Sequence, residues 1–334
     1  MGARPAASAR PGYRRLWLDA ASAVGADVSE PGGGFIEFRR GGCAVRVWGS
    51  WVPLDDLVTL RFADDKLLSR RSLEAAGLPV PAYSVFDRGD PRPAREFLAA
   101  APGSCVVKPA GSSGGSGATS GVRTDKALRR ALLRAGRLDD RLLIERQVPG
   151  DLYRLLFCDG ELLDVIRRLP PRVTGDGRST VGELVAAENS RRLAAAGGER
   201  VGLLRLDLDS ALTLEQAALH HTSVPARGVV VAVKTVVNQN SSRDNVNVLE
   251  EVSGELVSEA AAAVAAVEVR LAGVDLITPD PGRPLSAAGG AILEVNGTPG
   301  LHYHYEVSNP ERSVAVCVPI LERLLAVAEE ASKA

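Results

Sequence analysis

Residues 291–300 read Ala-Ile-Leu-Glu-Val-Asn-Gly-Thr-Pro-Gly. The first six fit a strand, and a period of two places Ile292, Glu294 and Asn296 on one face, with Leu293 and Val295 on the other. A carboxylate and an amide side by side on an otherwise apolar strand are costly unless something pairs with them. A hard cation with oxygen ligands is a natural partner, since Mg²⁺ typically takes one or two carboxylates together with phosphate oxygens. Asp275, in Gly-Val-Asp-Leu-Ile, is likewise an acid inside an apolar strand. If the connection at 279–290 returns the chain antiparallel, Asp275, Glu294 and Asn296 converge. Two unrelated strand-end acids bonded to backbone account for the same residues without a metal.

Upstream, Cys-Val-Val-Lys-Pro (105–109) runs into Gly-Ser-Ser-Gly-Gly-Ser-Gly (111–117). A lysine at a strand end, followed by backbone amides free of bulky side chains, suits a polyphosphate, although such a loop also serves as a linker. Neither the P-loop pattern nor a dinucleotide fingerprint is present. In Leu-Leu-Ile-Glu-Arg-Gln-Val-Pro-Gly-Asp-Leu-Tyr-Arg (142–154), a strand ending in Glu145 bends into a new strand and offers free backbone groups to a base edge.

The whole chain has 334 residues, room for about two domains. Lys and Arg number 40 against 41 Asp and Glu, a net charge of −1, which argues against a nucleic-acid binder. Hydrophobic residues at 45% support an ordinary core. The apolar runs at 229–233 and 260–267 are too short to span a bilayer. Arg14-Arg15-Leu16-Trp17-Leu18 resembles an export signal only until Asp19 interrupts it. Four scattered cysteines (Cys43, Cys105, Cys158, Cys317) form no metal or disulfide pattern, so the expected compartment is the cytoplasm. Only five of the basic residues are lysines. Where arginine is the default cation, a lysine marks a place for a compact point charge, and Lys66, Lys108 and Lys234 all fall in the segments of interest.

The patterning predicts mixed α/β or α+β structure. Helices are expected at 16–24, from the acidic start at Asp64-Asp65 to Gly77, at 126–135, from the capping box Thr180–Glu183 to about 196, at 255–271 closed by Gly273, and at 314–328. Strands are expected at 34–38, 44–48, 83–86, 105–108, 142–147, 153–158, 162–167, 229–237 (buried), 274–278 and 291–296. The arginine-rich stretch 129–137 reads as a solvated helix face.

The order of these pieces is specific where each alone is not. Asp65-Lys66, the Gly77-Leu78-Pro79 stop, Lys108-Pro109 with the glycine loop, Glu145 to Arg154, Gly273-Val274-Asp275 and Glu294-Val295-Asn296 through Gly300 together resemble the ATP-grasp superfamily over about residues 63–325. The series is most similar to the ligase domain of cyanophycin synthetase and bifunctional glutathione synthetase, on Arg168-Leu-Pro170, Val173-Thr-Gly-Asp-Gly177 and Thr180-Val-Gly-Glu-Leu184 with Asn189. More distantly it resembles D-alanine–D-alanine ligase. The resemblance implies an abbreviated N-terminal α/β segment (1–62), a small lobe (63–148) and a large lobe (149–334) gripping ATP. It also implies one or two Mg²⁺ ions, or Mn²⁺ in their place, and a reaction that joins a carboxylate to an amine of amino-acid or peptide substrates through an acyl phosphate. A homodimer is the superfamily expectation.

Carried over by position, Lys66 and Lys108 hold phosphates, Ser112, Ser113, Gly114 and Gly115 close over them, and Glu145 to Val148 form the adenine hinge. Asp275, Glu294 and Asn296 bind metal, while Arg154 and Arg168 face the substrate or the transferring phosphoryl group. Lys234 and Asn238 lie in a segment ending in the reacting pocket, and His302 and His304, alternating beyond the metal strand, touch substrate. Three departures stand out. Relatives carry a ribose-binding acid where this chain has Leu152, with Asp151 the substitute. They carry two glycines at Ser242-Arg243, where Arg243 suggests a carboxylate reader. The fused second enzyme of those relatives is absent from this sequence, which points to a dipeptide or γ-glutamyl-type product of specialised metabolism. A carboxylase acting on a non-amino-acid substrate and a non-catalytic nucleotide-binding module are the alternatives.

Overall fold

The computed structural model describes residues 11–100, 103–111, 115–195 and 202–333. Helix α1 (Pro11–Val24) leads into an antiparallel meander of β1 (Asp27–Gly32), β2 (Phe35–Arg40) and β3 (Cys43–Trp48). Two helices follow, α2 (Leu57–Asp64) and α3 (Lys66–Ala75), each begun by an aspartate whose carboxylate accepts from the first free N–H groups: Asp56 from Val58 and Thr59, Asp65 from Leu67 and Leu68. Such N-caps satisfy donors the helix itself cannot. Asp65 thereby fixes where α3 starts and places Lys66 and Arg70, four apart, on one face.

The next elements are β4 (Tyr83–Asp87), α4 (Arg92–Ala100), β5 (Cys105–Pro109), β6 (Thr119–Val122), α5 (Asp125–Ala135) and β7 (Arg141–Arg146). The four strands form an antiparallel sheet in the order β4-β7-β5-β6. Alternation sends Cys105, Val107, Leu142 and Ile144 into a core with Leu128 and Ala131 of α5. Lys108, Leu143 and Glu145 are left on the opposite face.

Strands β8 (Asp151–Cys158) and β9 (Glu161–Arg168) form a hairpin whose turn residue Asp159 adopts φ +50°. An insertion then leaves the sheet as β10 (Arg172–Thr174), α6 (Val181–Ala195), α7 (Leu208–Gln216) and β11 (Val230–Ala232), with its own small core around Val173, Val181, Leu204, Leu214 and Val233. The chain returns through β12 (Asn245–Asn247), α8 (Gly254–Val267), β13 (Leu271–Thr278), α9 (Leu285–Ala288), β14 (Ala291–Asn296) and α10 (Cys317–Ala331).

The large sheet has the order β12-β9-β8-β13-β14. On one face Tyr153, Leu155, Phe157, Val165, Ala272, Val274 and Leu276 pack against α8. Burying each large apolar side chain there contributes about 1.5–3 kcal/mol. On the other face Leu156, Cys158 and Leu271 join α1, the meander and α10 in one core, so the N-terminal and C-terminal segments share their packing. Beyond that core the same face turns polar.

Four sequence expectations change. A bulge in the β13–β14 ladder pairs Asp275 with Glu294 and then Leu276 with Ile292, skipping Leu293. The extra residue flips the phase: Ile292 joins Val295 in the core while Glu294 and Asn296 keep the other face. Helix α8 stops at Val267 with Glu268 left-handed at φ +60°, not at Gly273. Gly273 instead sits within β13, where a Cβ would lie 2.9 Å from Pro299 Cβ. The stretch 229–237 is only a three-residue strand with Val230 exposed, because its partner β10 is equally short. Helices α2, α4, α7 and α9 and strands β1, β6, β10 and β12 went unanticipated, and the helix anticipated at 314 starts at Cys317.

Candidate active site

The polar face of the large sheet carries Arg154 from β8, Asp164 and Arg168 from β9, Asn245 and Asn247 from β12, Asp275 from β13, and Glu294 and Asn296 from β14. Register brings them together: Asp275 stands opposite both Arg154 and Glu294, and Asn296 opposite Gly273. Arg154 grips Asp275 with two bonds, Nε to Oδ1 at 2.7 Å and Nη2 to Oδ2 at 2.6 Å. Asn296 donates its amide N–H to the Gly273 carbonyl at 3.2 Å and to Glu294 at 3.4 Å, which leaves its oxygen as an acceptor.

Two lysines stand over this face, Lys66 at the start of α3 and Lys108 on β5. Lys66 donates to Glu294 at 2.7 Å, and Lys108 donates to Glu145 at 2.7 Å. Arg70 holds the other oxygen of Glu145 at 2.8 Å and reaches the Leu293 carbonyl, the residue left out by the bulge, at 3.4 Å. Burial opposes ionisation of Glu294, but Lys66, with Lys108 and Arg154, holds its carboxyl well below the usual range. Burial likewise opposes charge on Glu145, and Lys108 and Arg70 outweigh it, so this carboxyl is depressed too. Lys66 is raised because Glu294 more than offsets the cost of burial. Lys108 is lowered, burial and Arg70 prevailing over Glu145. Mutually compensated buried charges of this kind depend on keeping their partners.

Arg168 is 5% exposed, its buried Nε has no hydrogen-bond partner among the described residues, and its guanidinium lies 4.2 Å from the ring centroid of Tyr303. Burial and neighbouring Arg154 depress it. Arg154, by contrast, is raised, since Asp275 overcomes its burial.

The expected residues therefore divide. Lys66, Lys108, Glu145, Arg154, Arg168, Asp275, Glu294 and Asn296 share the facing surfaces of the two lobes. Val148 lies two residues past the end of β7, outside its ladder, and Gly115 lies in the turn before β6. Ser112, Ser113 and Gly114 lie outside the described residues, as does the side chain of Asn238, which occupies the turn Val237–Gln239. Asp151 is on the face of β8 opposite Arg154, 3.8 Å from Arg167, whereas Leu152 shares the face of Arg154. Arg243 is exposed in a 3₁₀ turn.

Lys234 is not brought to the cluster. It is 1% exposed and donates to Asp207 at 2.7 Å, beside Arg134 on the same oxygen. Arg134 thus leaves the solvated arginine face expected for its helix. The histidines do not alternate on an extended segment either: 301–304 is a 3₁₀ turn. It sends His302 to Tyr13, 3.0 Å from the hydroxyl, and His304 to Asp164. Sequence reading missed Arg70, Asp164 and Tyr303. For Arg70 the signal was there, one helical turn after Lys66.

Among the described residues no cluster of three or more His, Cys, Asp or Glu side chains is arranged to hold a metal. Two carboxylates with an amide oxygen, beside lysines, are nonetheless the oxygen donors that Mg²⁺ accepts when phosphates complete its shell. Asp275, Glu294 and Asn296 fit that ion chemically. Among the described residues no helix is long and apolar enough to cross a membrane.

Two sheets of these orders, with their helices, give the chain the ATP-grasp fold. Solved structures share it: a bifunctional glutathione synthetase from Pasteurella multocida (TM-score 0.60, 23% identity, 94% of this chain and 44% of that one) and D-alanine–D-alanine ligase from Bacillus anthracis (TM-score 0.51, 16% identity, 82% and 71%). In sequence the chain is similar to cyanophycin synthetase of Nostoc sp. (strain PCC 7120), 32% identical over 251 residues, 74% of this chain and 28% of that protein. It is also similar to the glutathione biosynthesis bifunctional protein GshAB of Enterococcus faecalis, 31% identical over 260 residues, 75% and 34%. It spans about a third of these curated relatives. No family model matches the chain.

Proposed function

We propose that the chain is an ATP- and Mg²⁺-dependent ligase that joins the carboxylate of one amino acid or peptide to the amine of another, releasing ADP and phosphate. The observation that carries the reading is the Lys66–Glu294 bond, which stands between Lys108 of the smaller sheet on one side and the Arg154–Asp275 pair of the larger sheet on the other. Catalysis of phosphoryl transfer rests mainly on positioning and charge, and these residues supply both. Lys66 and Lys108 would hold phosphates, with Glu145 and Arg70 fixing the ammonium of Lys108. Mg²⁺ on Asp275, Glu294 and Asn296 would neutralise phosphate charge. Arg154 and Arg168 would face the substrate carboxylate as it takes the γ-phosphoryl group: a carboxylate O–P bond forms, the β–γ bridge breaks, and ADP leaves. The amine nitrogen then bonds the acyl carbon as the acyl C–O bond to phosphate breaks. Closure of the lobes protects the acyl phosphate from water.

The substrates are read as amino acids or peptides joined into a dipeptide or γ-glutamyl-type product, a reading supported by similarity to cyanophycin synthetase and to the glutathione biosynthesis bifunctional protein. The test is ADP release from Mg-ATP with the twenty amino acids in pairwise pools, products read by mass spectrometry. The expected result is ADP release that depends on an amine, with a new mass equal to two substrates less water. ADP release that needs bicarbonate and no amine would overturn the reading, as would full amide formation by Glu294→Gln.

A further inference from the structure

On the polar face of the large sheet, next to Arg154 and Arg168, Asp164 and His304 form a buried pair that the phosphate and metal chemistry does not use. Asp164 Oδ2 lies 2.7 Å from His304 Nδ1, and Asp164 Oδ1 accepts from Asn247 Nδ2 at 2.6 Å. Both side chains of the pair are wholly shielded from solvent. The support is fixed in turn: Asn309 bonds the backbone of Asn247 on both sides, at 2.9 Å each, and Ser313 bonds the His304 carbonyl at 3.2 Å.

A carboxylate can only accept, so Nδ1 carries the proton and Nε2 presents its lone pair. Nε2 is buried and has no hydrogen-bond partner among the described residues. An orphaned buried acceptor costs about 1–3 kcal/mol and calls for a reason. Burial holds the imidazole below its ordinary value; Asp164 pulls the other way, and Arg154 and Arg168 add to the depression. The ring is thus a neutral acceptor beside two guanidiniums, which also disfavour a positive charge on any amine brought there.

We propose that His304 Nε2 takes the proton from the attacking ammonium of the second substrate, with Asp164 as the residue that orients the ring and stabilises the imidazolium. This rests on the ligase reading and names a group within it. The balance is simple. An R–NH₃⁺ proton passes to Nε2, and the freed nitrogen bonds the acyl carbon. The acyl C–O bond breaks, and the second N–H proton departs with phosphate. The imidazolium then returns its proton to solvent.

Hydroxylamine is largely unprotonated at neutral pH and intercepts acyl phosphates without needing a base. The test compares hydroxamate formation with amide formation, using a pooled set of the twenty amino acids as acids and as amines, in wild type, His304→Gln and Asp164→Asn. The expected result is hydroxamate formation within about threefold of wild type in both variants. Amide formation should fall about a hundredfold in His304→Gln and about tenfold in Asp164→Asn, the scale of general-base catalysis. Equal loss of both products in both variants would mean the pair only supports packing and would overturn the proposal. Unchanged amide formation would overturn it as well. If wild type gives neither hydroxamate nor amide with any acid, the ligase reading itself falls and takes this base with it.

Discussion

Two lysines in this chain make nearly the same bond in different surroundings. Lys66 meets Glu294 at 2.7 Å with side chains 19% and 25% exposed, between the start of α3 and the end of β14. Lys234 meets Asp207 at 2.7 Å with its own side chain 2% exposed, inside the seam where the insertion lies on the small lobe. Asp207 also binds Arg134 and caps α7. Beside it Asp209 takes Ser120 of β6 on one oxygen and the N–H groups of Thr235 and Val236 on the other. In one pair the lysine is closed off from solvent and its acid is shared with Arg134; in the other both partners are partly exposed, and on the proposed reading each would trade the other for a ligand. Bond length does not separate them, but surroundings do.

Removing the exchangeable acid should have the largest effect. Glu294→Gln is expected to lower ATP-dependent amide formation about a thousandfold, the upper range for loss of one charge-stabilising group, with a smaller loss of stability than Lys234→Met. An equal or larger loss instead would make this pair structural as well. Lys234→Met should do the converse. Leaving Asp207 with one cation fewer is expected to cost about 3 kcal/mol of stability, read from urea denaturation, with ATP affinity of the folded fraction kept by calorimetric titration. Normal stability with lost turnover would move Lys234 to the cleft and break the contrast.

Gly273→Ala sharpens it from the backbone side. A methyl group against Pro299 should overpack the strand that carries Asp275, costing about 1–3 kcal/mol and lowering activity together with stability. Acid should act on the paired carboxyls. Glu145 has its folded value depressed, so its contribution is fully present above the usual carboxyl range and is lost as pH falls through the lower folded value. The difference in melting temperature between wild type and Glu145→Gln is therefore expected to narrow below about pH 4. The smallest effect belongs to the insertion's surface. Thr180→Ala breaks the reciprocal cap with Glu183 and should cost about 1 kcal/mol without touching turnover.

The contrast also explains what could be read before the fold was known. The motif at 291–300 and its pairing with Asp275 follow from strand periodicity and apolar context, and Asp65 announced its helix through capping chemistry. The bulge at Leu293 did not announce itself, because every residue around it is compatible with a regular strand and only the partner strand decides the register. Lys234 was misplaced for a related reason. Scarcity of lysine flags a position needing a point charge, yet a buried structural pair needs one as much as a phosphate does. Asp164 and Tyr303 lay hidden since a single Asp in a strand and a Tyr between histidines carry no spacing rule; only the sheet face brings them beside Arg154 and Arg168. The insertion was thinly read because its strands are three residues long and its helices rest on a small core of their own.

The Lys66–Glu294 bond has a consequence for how ligands arrive. A polyphosphate that claims the ammonium strips the carboxylate of its countercharge, and a divalent cation that claims the carboxylate strips the ammonium of its own. Each alone must leave a charge stranded in a half-buried gap, whereas both together leave none. On the proposed reading the two affinities would therefore be linked, and by reciprocity the nucleotide would strengthen the cation by the same factor as the cation strengthens the nucleotide.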